Sequence, residues 1–264
     1  MKGGTDLKNA LYILVKTVWD TEIIPTLWKQ TDIVQIYKGK GNSADLANYR
    51  NSHTKCDTRK VFGEIVTHEL KTIVTENVSK FQIGALAGHR PQEHLFTIKS
   101  VISFYRSMGK GLILCLYDIS KYFDKENLKD CMGELYTKGV KGKLYRIIYQ
   151  LNKETEVRVK TSVGVSESTE VGEGLGQGTN EGAVISTVNL DGGISDNFKD
   201  SDSEVEYSGM KLGPCLFQDD IARLAGDLNS VREGNKRIEN MAECKLLDFN
   251  LDKSCYHMIG QKRF

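Results

Sequence analysis

Apolar residues recur at helical spacing in three stretches of the first half of the chain. Residues 5–19 carry Leu7, Leu11, Leu14, Val15 and Val18, with Thr5 placed as an N-cap. Residues 60–78 carry Val61, Ile65, Val66, Leu70, Ile73 and Val74, and residues 93–108 carry Leu95, Ile98, Val101, Ile102 and Tyr105. Between the first two helices, Pro25 and Trp28 mark a connector. Residues 32–38 then follow as a strand through Ile33, Val34, Ile36 and Tyr37, ending in the basic turn Lys38-Gly-Lys-Gly41. Residues 111–117 form a continuous apolar run of strand length. Residues 124–136 and 142–151 read as helices, the first capped by Asp124. Residues 156–163 and 168–171 suggest an antiparallel pair. A glycine-rich link leads to a helix over 181–190, and the polar residues 191–206 read as an exposed loop. Strands at 211–217 and 221–224 flank Gln218-Asp-Asp220 as a hairpin. A helix over 229–247 and a strand over 256–259 complete the pattern. Helices first, then strands mixed with helices and few regular βαβ units, predict an α+β fold with helices packed on one face of an antiparallel sheet.

Composition narrows the class. The chain has 264 residues, 39% apolar and 27% charged, which suits a folded globular protein of one large or two small domains. No apolar run approaches the roughly 18 residues of a membrane helix. The first residues, Met-Lys-Gly-Gly-Thr-Asp, lack the apolar core of a secretion signal. The expectation is an intracellular protein, cytoplasmic or nuclear, neither secreted nor bound to a membrane. Six cysteines stand singly with no Cys-x-x-Cys pair, which argues against a zinc ribbon or redox motif, and the five histidines lack metal-ligand spacing. Cys115 and Cys215 read as small core residues.

Net charge is +1, but charge is segregated. Lys138, Lys141, Lys143, Arg146, Lys153, Arg158 and Lys160 lie in one stretch, whereas residues 161–206 hold ten acids and one base, Lys199. Such a pattern fits either a basic face for a phosphate backbone or a solvated helix followed by an acidic loop.

The candidate chemistry sits where apolar strands end. Asp118 follows Leu112-Ile-Leu-Cys-Leu-Tyr117, and Asp219-Asp220 sits between two apolar runs. A buried carboxylate needs a cation or a strong donor; the alternatives are a helix cap for Asp118 and a plain turn for the Asp pair. Two such strand ends side by side would offer oxygen ligands to Mg²⁺, which binds through one or two carboxylates plus substrate phosphates. Gly172-Glu-Gly-Leu-Gly-Gln-Gly178 matches neither a P-loop nor a dinucleotide fingerprint, yet its glycines would let the backbone approach a nucleotide, with Gln177 supplying an amide. Lys38, Lys40 and Arg50 form a basic set suited to phosphates, and Lys253 could place a proton or charge near a departing pyrophosphate. Each also reads as an ordinary surface cation, which is the commoner case.

Taken together, these segments resemble the reverse transcriptase domain of non-LTR (LINE-like) retrotransposons, in order from about Pro25 to Gly260. Pro25-Thr-Leu-Trp28, the run from Ile33 to Gly41, and Asn48-Tyr-Arg50 look like the fingers entry motif. Gln82-Ile-Gly84 with Gly88-His-Arg90 looks like the next. Asp118-Ile-Ser-Lys-Tyr-Phe-Asp124 and Gly176-Gln-Gly178 are similar to the first two palm motifs, Phe217-Gln-Asp-Asp220 to the aspartate-pair motif, and Leu251-Asp-Lys-Ser254 to the motif after the palm helix. The sequence departs from the family where Gly182-Ala183 replaces the usual Ser-Pro and where Gln218 replaces the commoner Ala.

The resemblance implies a right-hand polymerase with an RRM-like antiparallel palm. Residues 1–110 would be fingers-like, with connecting helices, and residues 111–264 the palm. The thumb would be missing, and thumb and endonuclease modules would sit on a longer parent protein. Asp118, Asp219 and Asp220 would hold two Mg²⁺ ions, or Mn²⁺ in their place. Phe123 would be the gate against a ribose 2′-hydroxyl. Gln177 and Gly178 would position template and incoming nucleotide, Lys38 and Arg50 would hold the triphosphate, and Lys253 would act near pyrophosphate. The partners would be an RNA template, a DNA primer and dNTPs. The alternatives are an inactive or truncated remnant that at most binds nucleic acid, and a two-metal nuclease.

Overall fold

The computed structural model describes residues 4–171, 175, 178–198 and 204–260. Helix α1 (Thr5–Thr21) and the short α2 (Thr26–Lys29) lead into a hairpin of β1 (Gln30–Tyr37) and β2 (Tyr49–Thr54). Helices α3 (Asp57–Val74) and α4 (Pro91–Ser107) precede β3 (Leu112–Tyr117). Then come α5 (Tyr122–Lys125), α6 (Leu128–Thr137), α7 (Gly142–Asn152), β4 (Glu156–Thr161), β5 (Gly164–Val165) and β6 (Thr169–Glu170). The long α8 (Asn180–Phe198) is followed by β7 (Val205–Tyr207), β8 (Met210–Leu212), β9 (Cys215–Phe217), β10 (Asp220–Ala225), α9 (Leu228–Cys244) and β11 (Cys255–Ile259). No helix among the described residues is long and apolar enough to cross a membrane.

Two main sheets organise the chain. The first has the order β2-β1-β4-β5, with β6 also on β4, and its β1–β4 pair is parallel. Residues 156–170 therefore share a sheet with residues 30–54, on the other side of the expected division at 110/111. The second sheet, β11-β3-β10-β9, is antiparallel throughout. Successive β3 residues point to opposite faces. Leu112 and Leu114 pack with Val101, Ile98 and Ile102 of α4, whereas Ile113 and Cys115 pack with Val231 of α9. Both faces of this sheet are covered, where the sequence pattern predicted helices on one face only.

The largest core lies among α1, α2, α3, α6, α7 and α8, through Val18, Trp28, Phe62, Leu70, Leu135, Ile148 and Val188. At its centre is α8, which is eight residues longer than the predicted helix end at Leu190 and buries nearly its whole circumference. Its polar residues are satisfied by remote partners. Asp191 is fully buried, pairs with Lys138 at 2.7 Å and accepts from the Ser79 amide at 3.1 Å. Lys245 donates to Glu134 at 3.0 Å and to Asn189 at 2.8 Å. Residues 191–198 are thus an internal helix, and the expectation of an exposed loop there is corrected. Two helix starts also differ. Asn127, rather than Asp124, caps α6 by accepting from the Lys129 and Asp130 amides. Thr5 is the first helical residue of α1 after Gly4.

The basic stretch is largely neutralised within the fold. Lys138 pairs with Asp191, Lys143 with Asp20, Arg146 with Glu22, Lys153 with Glu154 and Arg158 with Asp32. The acids at 20, 22 and 32 come from more than a hundred residues earlier, so local sequence could not reveal them. This stretch does not form the open basic face that its composition allowed.

One buried carboxyl makes stability depend on pH. Glu126 is 1% exposed; Ser186 donates to it through its hydroxyl, and Asn189 through its amide at 3.2 Å. Burial pushes its pKa up to about 7 from 4.5, although the donated hydrogen bonds pull the other way. The folded state therefore favours the protonated form. That contribution is complete below pH 4.5 and is lost as pH rises through about 7. Glu126→Gln is expected to gain up to about 3 kcal/mol relative to the parent chain across this window. Urea unfolding of both proteins over the window checks it, and a pH-independent difference would contradict it.

Candidate functional site

The carboxylates Asp118 and Asp219-Asp220 arise from neighbouring strands of the second sheet. Tyr117 lies opposite Ile221, and Phe217 opposite Asp220. Continuing that register sets Asp118 beside Asp220, with Asp219 in the turn that joins β9 to β10. The three acids thus meet at one edge of the sheet although about a hundred residues separate them.

Their fields overlap. The pKa of Asp219 is raised, first by burial and then by the neighbouring Asp220 and Asp118 carboxylates; its own amide and Lys253 oppose the shift. Lys253 Nζ lies 3.3 Å from Asp118 Oδ2 and 3.4 Å from Oδ1. The lysine side chain is 65% exposed, so this ion pair is weakly held and readily exchanged. Among the described residues no three His, Cys, Asp or Glu side chains are already gathered as a metal cage. Mg²⁺ does not require one, since it binds through one or two carboxylates together with phosphate oxygens and water. Hard oxygen donors and an excess of negative charge at Asp219 fit such an ion.

Three backbone contacts fix the edge. The Asn250 amide donates to the Asp118 carbonyl at 2.8 Å, the Asp118 amide donates to Ser254 Oγ at 3.1 Å, and the Ser120 amide donates to the Asp248 carbonyl at 2.8 Å. The loop between α9 and β11 is therefore tied to the end of β3, which brings Lys253 to Asp118. On the other side, the segment 81–84 braces the hairpin. Leu216 donates to the Phe81 carbonyl at 2.8 Å, and the Leu216 carbonyl accepts from the Ile83 amide at 3.1 Å and from His94 Nε2 at 3.0 Å. A β-carbon on Gly84 would collide with the Gln218 backbone nitrogen. Only glycine permits this approach. Gln218 itself has φ +56°, a left-handed value that a side chain adopts at some cost.

The predicted cations converge as well. A cleft of about 500 Å³ is lined by Ile36, Tyr37, Lys38, Lys40, Arg50 and Lys253. The β1–β2 register explains it. Ile36 faces Arg50, and the Lys38 amide donates to the Asn48 carbonyl at 2.9 Å, so the hairpin tip presents its bases to one side. Lys253 belongs both to this cleft and to the Asp118 ion pair, and so links the basic and acidic groups.

Phe123 is half-buried in α5, and its carbonyl accepts from the Leu175 amide at 3.2 Å. Gly178 has φ +79° and lies against the His53 carbonyl, where a β-carbon would not fit. Gln177 lies outside the described residues. His53, which its sequence context did not mark, lies within the field of Asp124, while burial holds its pKa below the ordinary value. Ser254 was likewise quoted only as the end of a motif. No local pattern signals its bond to Asp118, which joins residues 136 positions apart.

No protein-family model matches the sequence, and no curated protein matches it. Solved structures do match in shape. An apo telomerase from Candida tropicalis, truncated from its C-terminal domain, superposes with a TM-score of 0.65 at 9% identity, covering 94% of this chain and 55% of that one. Telomerase from Candida albicans, solved in complex with a TWJ fragment of telomeric RNA, gives 0.64 at 11% identity, covering 94% of this chain and 45% of that one. The chain spans about half the length of these structures. At such identity the likeness speaks to the fold: a mixed α+β architecture with antiparallel sheets, similar to that of telomerase, a protein related to reverse transcriptases.

Proposed function

We propose that the chain is the fingers and palm of an RNA-directed DNA polymerase, of the LINE-like kind that its motifs resemble. One observation carries the reading: Asp118 and Asp219 share a sheet edge, and Lys253 joins that edge to a cleft lined by Lys38, Lys40 and Arg50. In this reading a primer 3′-hydroxyl attacks the α-phosphate of a dNTP on an RNA template. Asp118 and Asp219, with Asp220 assisting, would hold two Mg²⁺ ions. Such ions, when bound, neutralise charge on the attacking and leaving oxygens. Lys38 and Arg50 would seat the triphosphate, and Lys253 would leave Asp118 to meet the pyrophosphate. Gly178 would let template and nucleotide approach the backbone, with Gln177 beside it, and Phe123 would exclude a 2′-hydroxyl. Catalysis would then consist of positioning and charge neutralisation.

A second reading is an inactive remnant that at most binds nucleic acid, in which Asp118 keeps Lys253 rather than a metal ion as its partner. Extension of a labelled DNA primer on an RNA template separates the two. The polymerase reading expects dNTP incorporation that requires Mg²⁺ and stops with chelator. Binding of template-primer with no incorporation at any Mg²⁺ concentration would leave the remnant.

A further inference from the structure

Helix α4 carries an outward face that neither the core nor the polymerase reading uses. Its inner side is spent on packing, where Ile98, Val101 and Ile102 meet Leu112 and Leu114 of β3. At 3.6 residues per turn, Gln92, Leu95, Phe96, Lys99, Ser103 and Arg106 fall together on the opposite side. All of these are exposed, and Phe96 leaves 74% of its surface open.

The charge on this face has one sign. Exposed Arg90 stands just before α4 and exposed Lys110 just after it. A β-carbon on Gly260 would touch both Arg106 Cγ and the Lys110 carbonyl, so these two residues lie side by side. Glu93 is the one acid between Arg90 and Lys110, and it is already engaged by His89 and by the Arg90 amide, each at 2.9 Å. Among the described residues, Arg90, Lys99, Arg106 and Lys110 form no ion pair. The stretch from Lys138 to Arg158, in contrast, spends most of its bases on acids within the fold.

An exposed aromatic ring among unneutralised bases suits a polyanion that also carries flat apolar groups. Phosphates meet the bases, and an unpaired nucleobase stacks on the ring. A duplex keeps its bases inside and would leave Phe96 without a use. A membrane surface fits less well, because Gln92 and Ser103 interrupt the stripe and the apolar side of α4 is already covered by the sheet. The face also runs toward the acidic edge. His94, near the start of α4, bonds to the Leu216 carbonyl at 3.0 Å, so a strand lying along the helix from Lys110 to Arg90 would arrive beside the Asp219 hairpin.

We propose that this face binds single-stranded nucleic acid, with Lys99, Arg106 and Lys110 on its phosphates and Phe96 stacked on a base. It uses none of the carboxylates and stands whether or not the chain polymerises DNA.

The test is fluorescence anisotropy of a short, unstructured single-stranded RNA titrated with the full chain over a range of salt concentrations, without dNTPs or Mg²⁺. One variant combines Lys99→Gln, Arg106→Gln and Lys110→Gln; the second is Phe96→Ala. A control combines Lys8→Gln, Lys129→Gln and Lys236→Gln, exposed lysines on other helices that give the same change in net charge. Every substituted side chain is exposed, so folding is preserved. Each phosphate contact adds roughly 0.7 to the slope of log affinity against log salt for a single strand. The first variant is therefore expected to bind at least about tenfold more weakly, with a slope flatter by about 2. Phe96→Ala is expected to lose about tenfold at an unchanged slope, which a general loss of charge would not produce. No RNA binding by the parent, an equal loss in the control, an unaltered slope in the first variant, or undiminished binding by Phe96→Ala overturns the proposal. Preference of the parent for a blunt duplex or for anionic lipid vesicles over the single strand overturns it as well. No extension is read, so failure here leaves the polymerase reading untouched.

Discussion

Asp219→Asn is expected to reduce primer extension by more than about 100-fold, beyond the 10–100-fold typical of groups that only support a metal ligand. The substitution removes an anionic oxygen that is partly buried at the sheet edge and keeps the shape. It should also leave the protein no less stable. Asp219 is held in an environment where burial and the Asp118 and Asp220 carboxylates all oppose its charge, so a neutral amide relieves repulsion in the folded state. The expected signature is lost activity together with an unchanged or raised urea midpoint. Equal incorporation by both proteins would remove Asp219 from the chemistry. A variant that simply unfolds would show the residue to be structural, because its carboxylate would then be holding the turn in place.

Glu181→Leu is expected to cost about 3–5 kcal/mol, the usual penalty for breaking a buried ion pair from one side, here the pair with Arg59. That is a large share of the 5–15 kcal/mol by which domains are normally stable. It leaves Arg59 and Lys55, both buried, facing each other without an anion. The reverse change, Arg59→Met, should cost less, because the Lys55 ammonium still lies within the field of Glu181 and offsets part of its charge. Adding Arg59→Met to Glu181→Leu should restore most of the loss, since apolar replacement of a whole buried pair is often neutral. Urea denaturation of the two single variants and the double variant measures this asymmetry. Equal costs for the two single changes would mean that Lys55 does not share the pair.

How much of this was legible in the sequence depended on range. The run Leu112–Tyr117 and the hairpin around Gln218 were readable, because a continuous apolar stretch ending in an acid has few other uses, although the single strand expected over 211–217 divides at Gly213-Pro214 into β8, which pairs with β7, and β9. The amphipathic α3, α4 and α9 were readable from helical spacing. The end of α8 was not: Asp191, Gly192 and Gly193 look like a loop until Lys138, Lys245 and Glu134 are brought against them. The parallel β1–β4 pair joins segments more than a hundred residues apart and has no local signature. The same holds for the acids that neutralise the basic stretch. At the candidate site the charged residues were visible as residue types next to strand ends. The groups that hold them, such as Gly84 beneath Gln218 and Ser254 beneath Asp118, act through backbone contacts that pattern cannot encode.

The stitching of Asp118 to Asn250 and Ser254 has a consequence for biosynthesis. A nascent polypeptide emerging from the ribosome exposes Asp118 long before the segment that fastens it. Products that stop short of residue 250 would carry an Asp118 with neither its amide anchored nor its lysine companion. Translation itself would thereby delay the anchoring of Asp118 until residues 250–254 had been made.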